Sequence, residues 1–477
     1  MKLSQLVKEI HGAELTNDVQ VYGLCADSRV AGEGDLFFCF RGTNTDAHIY
    51  AREAAERGAA AIVCEKKLPI SVPQVIVPDG REAMARISAA VYEHPERILK
   101  MIGVTGTNGK TTTATMIREI LEEAQLPCGM IGTLGARYGS IHVAPSLTTP
   151  DPICLFSLLR DMADAGMKAA VMEVSAHALA LKKDAPIFYD VAVFTNLTRD
   201  HLDFFGDMER YAAAKKILFT PQKCAFAVLN ADDAFSRELA CENIPHITYG
   251  LETPADAFAL VESDTLRGCR AVLNLQDELC EASIPLTGRY NLSNALAAAC
   301  AARHLGAGVD AIARGLAKTK AEGRLEWVAS VRGADVFVDF AHTPDGLEKS
   351  LSALREHCTG RLIALFGCGG NRDSGKRAKM GEIAARCADF TVITSDNPRY
   401  EDAYAIISEI ETGFCRVSSE YIAIEEREKA IAYALGILSE GDVLLVAGKG
   451  AEKYQEIMGI KYGYDDKAVI EKLVGKS

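Results

Sequence analysis

The sequence predicts an α/β chain of three domains: a small mixed α/β N-terminal domain at 1–97, a central P-loop parallel-sheet domain at 98–327, and a C-terminal Rossmann-like domain at 328–477. Three observations predict this. A chain of 477 residues is too long for one hydrophobic core and suits about three domains of ordinary size. From residue 98 onward, short continuous apolar runs alternate with helical patterns, the signature of strands covered on both faces of a parallel sheet. Between one such run and a helix lies a glycine-rich turn, Gly103 to Thr112, which points backbone N–H groups and a helix N-terminus at one spot and so suits phosphate.

Composition narrows the function classes. Lys and Arg number 52 against 65 Asp and Glu, a net charge of -13, which argues against a nucleic-acid partner. No apolar stretch reaches membrane-spanning length and Met1 to Val7 lacks a signal-peptide apolar region, so no membrane insertion is expected. The 14 cysteines are scattered, often inside apolar runs, with no Cys-x-x-Cys pair, as small core residues of a reducing compartment would be. The expectation is a cytoplasmic monomer.

In the first segment, strands are expected at Val21–Leu24, Leu36–Phe40 and Ala60–Val63, with one good helix at Ala51–Arg57. Its polar loops, Asp27-Ser28-Arg29 and Gly42 to His48, read from the residues alone as surface turns.

The second segment opens with the strand Met101-Ile102-Gly103-Val104 and, from Thr111, a helix with Met116, Ile117, Ile120 and Leu121 on one face. Gly106 and Gly109 let the loop Gly106-Thr107-Asn108-Gly109-Lys110-Thr111-Thr112 curl around an anion. Lys110 can reach the outer phosphates and the Thr111 hydroxyl can hold Mg2+. The strict P-loop pattern has a glycine where Val104 stands, so the loop is a variant, with Gly103 and Gly106 on either side of that place. Further strands are expected at Met130–Ile131, Ala169–Met172, Val191–Phe194 and Phe226–Leu229. Ligands bind such sheets at the strands' carboxyl ends. There Glu173 and His201 join Lys110 and Thr111, a combination that suits a metal. Lys215, in the pattern Tyr211 to Phe219, reads from spacing alone as a snorkelling lysine on a solvated face. Ala255 to Thr287 alternates with turns near Ser263-Asp264 and Gln276-Asp277, predicting a small antiparallel insert, and a helix follows at Asn291–His304.

In the third segment, strands at Val336–Val338, Leu362–Phe366, Phe390–Ile393 and Val443–Ala447 each end in a polar or glycine-rich cluster. Two arginines beside carboxylates at one rim, Arg372 and Arg399, suit a zwitterionic substrate.

The series GVTGTNGKTTT, TTP at Thr148 to Pro150, EVSAHAL, TNLTRDHLDFFG, YAAAKKILF, GRYNLSNALAA, GRLE, DFAHTPDGLE, FGCGGNRDSGKR, TSDNPR and GKGAEKYQ resembles the Mur ligases, ATP-dependent amide-forming enzymes of peptidoglycan synthesis. The resemblance covers all three segments in order and implies two cofactors, ATP and Mg2+. ATP would lie on Gly106 to Thr112, with Asn291 near the adenine and Arg324, Asp339 and His342 closing over it. Thr111, Glu173, His201 and a carbamylated Lys215 would serve magnesium, reversing the reading of Lys215 from spacing. Lys110, Glu173, His201 and Lys215 would carry the catalysis. Small-molecule partners are implied, a UDP-linked muramyl dipeptide and meso-diaminopimelate. Ser28, Thr148, Thr149, Ser175 and Lys183 would meet the first. Arg372, Asp396, Asn397, Pro398, Arg399, Gly448 and Glu452 would meet the second, the Asp-Asn-Pro-Arg stretch being the family's mark of diaminopimelate rather than lysine.

The chain departs from the family pattern at Leu181, Lys183, Phe340, Tyr400, Ala451 and Asp46-Ala47-His48. Two rivals follow. One is a ligase of the same architecture with another acceptor, as in folylpolyglutamate synthetases, against which Ser28 and its domain stand. The other is a non-catalytic nucleotide-binding regulator, against which the joint retention of Glu173, His201, Lys215 and Arg399 stands.

Overall fold

A computed structural model describes all residues except 43–44, 146, 321 and 476–477, so two positions of the Gly42 to His48 loop, Thr43 and Asn44, lie outside the described residues. Three large sheets follow one another along the chain. The first contains β1 (Glu14–Leu15), β2 (Gly23–Cys25), β3 (Asp35–Phe38), β4 (Ala61–Cys64) and β5 (Gln74–Ile76) in the order β1-β5-β4-β3-β2. Strands β2 to β5 are parallel and β1 pairs β5 antiparallel. Besides the expected helix, found at Ala51–Glu56, a longer one covers Gly80–Val91. Asp79 caps it by accepting from Arg81 N and Glu82 N.

The central sheet has eleven strands: β6 (Lys100–Thr105), β7 (Cys128–Gly132), β8 (Gly135–Tyr138), β9 (Ile141–Val143), β10 (Ala169–Glu173), β11 (Val191–Phe194), β12 (Ala227–Asn230), β13 (His246–Gly250), β14 (Ala257–Thr265), β15 (Gly268–Leu275) and β16 (Glu278–Ile284). Their order is β16-β15-β14-β13-β12-β11-β6-β10-β7-β8-β9. Alternate residues of β6 and β10 enter different cores: Ile102, Val104, Ala169 and Val171 pack on one face, and Met101, Ala170 and Met172 on the other. This is why these strands read as continuous apolar runs. Strand β6 lies between β10 and β11, the chain departing to opposite sides of it, so the turn after β6 opens at the switch point of the sheet.

The expected antiparallel stretch after residue 255 is present as β14 to β16, with its second turn at Gln276-Asp277, and it extends the central sheet. Strand β14 runs parallel to β13 and carries β15 and β16 with it as a continuation of the central sheet. Its first turn falls at Leu266-Arg267 instead of Ser263-Asp264, because a register shift between Val261 and Ser263 lets β14 run on to Thr265.

The third sheet contains β17 (Glu326–Val331), β18 (Ala334–Asp339), β19 (Leu362–Phe366), β20 (Phe390–Ile393), β21 (Tyr421–Ala423) and β22 (Val443–Ala447) in the order β17-β18-β22-β19-β20-β21. All but β17 are parallel, and a hairpin of β23 (Tyr454–Ile457) and β24 (Ile460–Gly463) follows. No helix among the described residues is long and apolar enough to cross a membrane.

Candidate active site

The turn after β6 is built by close approach. A Cβ at Gly106 would lie 1.8 Å from Thr195 Oγ1, and one at Gly109, where φ is +86°, would lie 2.4 Å from Asn294 Oδ1. Only glycine fits either place. Gly103 has another role: it sits inside β6 against the Tyr189 ring. The loop is pinned to the end of β11, with Thr107 N donating to Asn196 O (2.8 Å), Asn108 N to Asn196 Oδ1 (2.9 Å) and the Thr195 hydroxyl to Asn108 O (2.6 Å). Lys110 begins the helix Lys110–Glu123 and donates to Gly106 O and Thr107 O, both at 2.8 Å. Burial lowers its pKa, against the opposing pull of Glu173 and Asp200.

Glu173 ends β10 fully buried. It accepts from the Thr111 hydroxyl (3.0 Å), from Thr133 N (2.9 Å) and from the Thr133 hydroxyl (3.1 Å). A carboxylate buried this deeply is held by hydrogen bonds rather than by an ion pair. Thr133 also meets Thr148, their hydroxyl oxygens 3.2 Å apart. Thr149 donates to Glu173 O (2.8 Å) and accepts from Ser175 N (3.1 Å), so the two threonines and Ser175 line up beside Glu173. Lys183 pairs with Asp151 at 2.7 Å and donates to Thr149 O.

Lys215 is 1% exposed, which corrects the solvated-face reading from spacing: the helix Met208–Lys216 turns Tyr211, Ala214 and Lys215 inward. Its ammonium lies 4.6 Å from the Tyr211 ring centre and has no hydrogen bond or ion pair among the described residues. Burial, then the nearby charge of Lys110, push its pKa well below the ordinary lysine value. His201 is positioned left-handed (φ +55°) before the helix Leu202–Phe205, its ring 4.7 Å from that of His177. Burial pushes its pKa down to about 4 against the pull of Asp200, 3.4 Å away.

The third sheet supplies the opposite wall. Arg324 donates to the Thr111 hydroxyl (3.0 Å) and stacks over Phe340 (4.4 Å), so Phe340 carries the guanidinium on its ring face. Asp339 accepts from Leu325 N, Ala341 N and Ser350 and so holds the turn that aims Arg324; burial raises its pKa. His342 Nδ1 donates to Phe340 O at 2.9 Å, leaving Nε2 as the free acceptor of the neutral ring, and burial pushes its pKa down to about 4. Asn108 donates to Asp345 at 2.7 Å, joining loop and opposite wall directly. Between the walls lies a cavity of about 330 Å³ reached by Asn108, Gly109, Thr111, Thr112, Arg324 and His342.

Asn291 does not line this cavity. It is buried and donates to Thr287 O, just ahead of its own helix, Arg289–His304, while Tyr290, Ser293 and Asn294 face the cavity. Ser28 lies apart, in the first domain, donating to Glu53 at 2.9 Å. Sequence reasoning missed Thr133 and Asp345. Thr133 follows the end of β7, where the strand-end rule that found Glu173 also points. Asp345 follows Pro344 at the start of a helix and carried no local signal of its reach.

A second cluster forms at the ends of β19, β20 and β22. Arg399 donates to Gly370 O (2.8 Å) and Glu456 (3.2 Å), and Asn397 donates to Glu452 (2.9 Å). Fully buried Lys449 donates to Asn397 and Glu452. A Cβ on Gly448 would lie 2.6 Å from Asp396 Oδ2, and the Pro398 carbonyl closes on Gly370. Arg372 is exposed, without a hydrogen bond or ion pair among the described residues, and flanks Gly369 together with Arg399.

Three family models match in chain order: "Mur ligase family, catalytic domain" at 20–101, "Mur ligase middle domain" at 104–302 and "Mur ligase, glutamate ligase domain" at 323–450. The chain is 38% identical to UDP-N-acetylmuramoyl-L-alanyl-D-glutamate–2,6-diaminopimelate ligase of Caldanaerobacter subterraneus subsp. tengcongensis, covering 100% of both chains. It is 41% identical to the ligase of the same name from Geobacillus thermodenitrificans, covering 98% of both. A solved structure of a ligase of that name aligns with TM-score 0.68 and 31% identity over 96% of this chain and 95% of the other. A Mycobacterium tuberculosis folylpolyglutamate synthase structure aligns with TM-score 0.66 at 18% identity over 83% and 96%, a likeness of fold. With such similarity sustained over its whole length, the chain belongs to the Mur ligase family of ATP-dependent amide ligases.

Proposed function

We propose that this chain uses ATP and Mg2+ to join meso-diaminopimelate to UDP-N-acetylmuramoyl-L-alanyl-D-glutamate in peptidoglycan synthesis, acting as a cytoplasmic monomer. The observation that carries this reading is the meeting of Thr111, itself bonded to buried Glu173, with Arg324 and His342 across one cavity at the loop that holds Lys110. In it, residues 1–97 hold the UDP precursor, 98–327 hold ATP and 328–477 hold the amino acid.

The glutamate carboxylate attacks the γ-phosphorus of ATP, giving an acyl phosphate and ADP. The amine of the acceptor then attacks the acyl carbon, loses a proton and expels inorganic phosphate. Both steps build negative charge on oxygen, and Lys110 supplies a fixed cation for it. The loop's backbone N–H groups cradle the phosphates, while the contacts of Arg324 with Thr111 and Asp345 with Asn108 close the cavity against water, which would hydrolyse an acyl phosphate.

The donor types fit magnesium: a hydroxyl bonded to a buried carboxylate, Thr111 and Glu173, and an imidazole, His201, close to a lysine whose buried amine has no hydrogen bond or ion pair among the described residues. An amine held toward its neutral form is the form that adds CO2 to give a carbamate with loss of a proton, which would turn Lys215 into the missing anion. Thr111, Glu173, His201 and carbamylated Lys215 would hold the ion, which would neutralise charge on the phosphate oxygens.

On the acceptor side, Arg399 and Arg372 grip the distal carboxylate that lysine lacks, while Glu452, with Asp396 and Asn397, receives the amino-acid end. Thr148, Thr149, Ser175 and Lys183 face the muramyl dipeptide, and Ser28 its UDP end.

The test is phosphate release by the purified protein with ATP, Mg2+ and the UDP-muramyl dipeptide, with meso-diaminopimelate or lysine added in parallel. Release with diaminopimelate alone is expected. Equal release with lysine overturns the acceptor, and release with neither overturns the precursor.

A further inference from the structure

Of the largest fully buried side chains, two are arginines, Arg377 and Arg427. Arg377 lies under the acceptor cluster without reaching its surface, being 1% exposed. Its guanidinium binds both oxygens of Glu401, at 2.9 and 3.0 Å, and donates to Gly369 O at 3.2 Å and to Glu409 at 3.2 Å. Glu401 in turn accepts from Asn371 N, and Asn371 Oδ1 accepts from Tyr400 N at 3.0 Å. Arg399 closes the network by donating to Gly370 O. The bonds of Arg377 and Asn371 to Glu401, of Tyr400 to Asn371 and of Arg399 to Gly370 O join the segment after β19, which carries Arg372, to the loop after β20, which carries Arg399, while the bond to Gly369 O ties Arg377 to its own segment.

We infer that Arg377, acting through Glu401, is a positioning residue for acceptor recognition: it sets the separation of Arg372 and Arg399 and thereby the choice of an amino acid with a second carboxylate. The inference rests on the proposed acceptor. A forked guanidinium is required because three acceptors in different directions, Glu401, Glu409 and Gly369 O, must be held at once, and an ammonium lacks that planar geometry. A buried ion pair is weak evidence for stability but well suited to fixing one arrangement over others. Both arginines at the rim are held on loops, so their separation is as definite as the bonds between those loops.

The test is steady-state kinetics of the full-length protein and its Arg377→Lys, Glu401→Gln and Glu409→Gln variants, each checked by circular dichroism and thermal melting. Arg377→Lys and Glu401→Gln are expected to raise KM for meso-diaminopimelate roughly tenfold or more. KM for ATP and kcat should hold within about threefold, and preference over lysine should fall with the same factor. Glu409→Gln, whose carboxylate touches neither loop, should leave KM unchanged. Should Arg377→Lys fail to fold, Glu401→Gln carries the test, since it keeps an oxygen for Asn371 N while weakening the hold of Arg377. Folded variants with unaltered KM for the acceptor, or with kcat and both KM values changed together, overturn the inference. A wild-type protein that releases no phosphate with diaminopimelate overturns the parent reading and this one with it, so the two failures are told apart by the wild-type assay alone.

Discussion

The two rims of the molecule are wired in opposite ways. Among the described residues the charged groups of the central rim have few charged partners: Lys110 donates to loop carbonyls, Lys215 has a ring beneath it and no ion pair, and Glu173 is held by hydroxyls and one backbone N–H. At the C-terminal rim the inner cations are answered by carboxylates, Arg399 by Glu456, Lys449 by Glu452 and Arg377 by Glu401, while exposed Arg372 has no ion pair among the described residues. A site that stabilises charge arriving with the ligand, or forming during reaction, is best left short of internal counter-charges. A site that selects one zwitterion over another gains from a rigid frame. The contrast predicts that changes at the central rim act on rate, whereas changes at the C-terminal rim act on acceptor affinity and choice.

Lys110→Met is the most direct attempt to break that contrast. It removes the one cation held inside the loop, and phosphate release should fall by roughly 100- to 1000-fold in kcat. Acceptor KM should stay within a few-fold; a rise in acceptor KM alone would place Lys110 in recognition. Lys215→Ala tests the same rim from beneath, with an expected loss of about 3 kcal/mol of transition-state stabilisation, roughly 100-fold in rate. The accompanying measurement is the intact mass under non-acidic conditions, which should exceed the sequence mass by one CO2 and return to it after acid treatment. An unmodified mass in a fully active protein removes the carbamate.

At the other rim, Arg399→Ala deletes a charge-assisted contact worth about 1.5–3 kcal/mol, roughly 10- to 150-fold in KM for meso-diaminopimelate. KM for ATP should be unaffected. A variant that loses kcat and keeps its acceptor KM would erase the distinction between the rims.

The contrast also has a pH signature. His342 is neutral at neutral pH in the folded protein, its pKa pushed down to about 4 by burial, while the unfolded chain protonates near the ordinary histidine value of about 6.5. As pH falls through that interval the unfolded state takes up the proton first. The stability that comes from keeping the ring neutral is therefore complete above about 6.5 and lost progressively toward about 4. His342→Asn should flatten the fall in melting temperature over this window by about 2–4 °C relative to the wild type. Parallel curves would show that the ring does not titrate differently on folding.

How much of this was legible in the sequence follows from whether the signal is local. Lys110, Thr111 and Glu173 were legible because a strand end and the residues after it are adjacent in the chain, and strand ends are where such sheets bind. The parallel strands were legible because both faces are buried, leaving nothing polar to interrupt the runs. Lys215 misled because its helix face, with Tyr211 and Ala214, is buried against Ala176 and Phe205 of other elements, information that spacing along one helix lacks. Arg377 was invisible as a frame because Glu401 and Glu409 lie 24 and 32 residues further on. The helix Gly80–Val91 was missed although Asp79 caps it and its buried face is rich in alanine. The turn at Leu266-Arg267 was misplaced because it lacks the Asn, Asp or Gly in its corner that announces most tight hairpins.

That misplaced turn supplies the smallest predicted effect and a probe of how the two rims come together. The tip of β14 and β15 reaches the third sheet, where Arg267 stacks over Trp327 at 3.8 Å and pairs with Asp335 at 2.9 Å, while Trp327 itself donates to Asp335 at 2.8 Å. Nearby, His357 lies 3.4 Å from Asp264 and Leu266 packs into the core of the third sheet. Trp327 is the only tryptophan in the chain, so intrinsic fluorescence reports this one contact between the sheets. Arg267→Ala removes an exposed cation–π contact worth about 0.5–1 kcal/mol. It should change the emission of Trp327 while moving kcat by less than about fivefold, since the contacts of Arg324 and Asp345 at the cavity remain. Emission that is unchanged would mean that the hairpin does not rest on Trp327 in solution. A loss of rate as large as that of Lys110→Met would mean that the hairpin, rather than Arg324 and Asp345, holds the two rims in register.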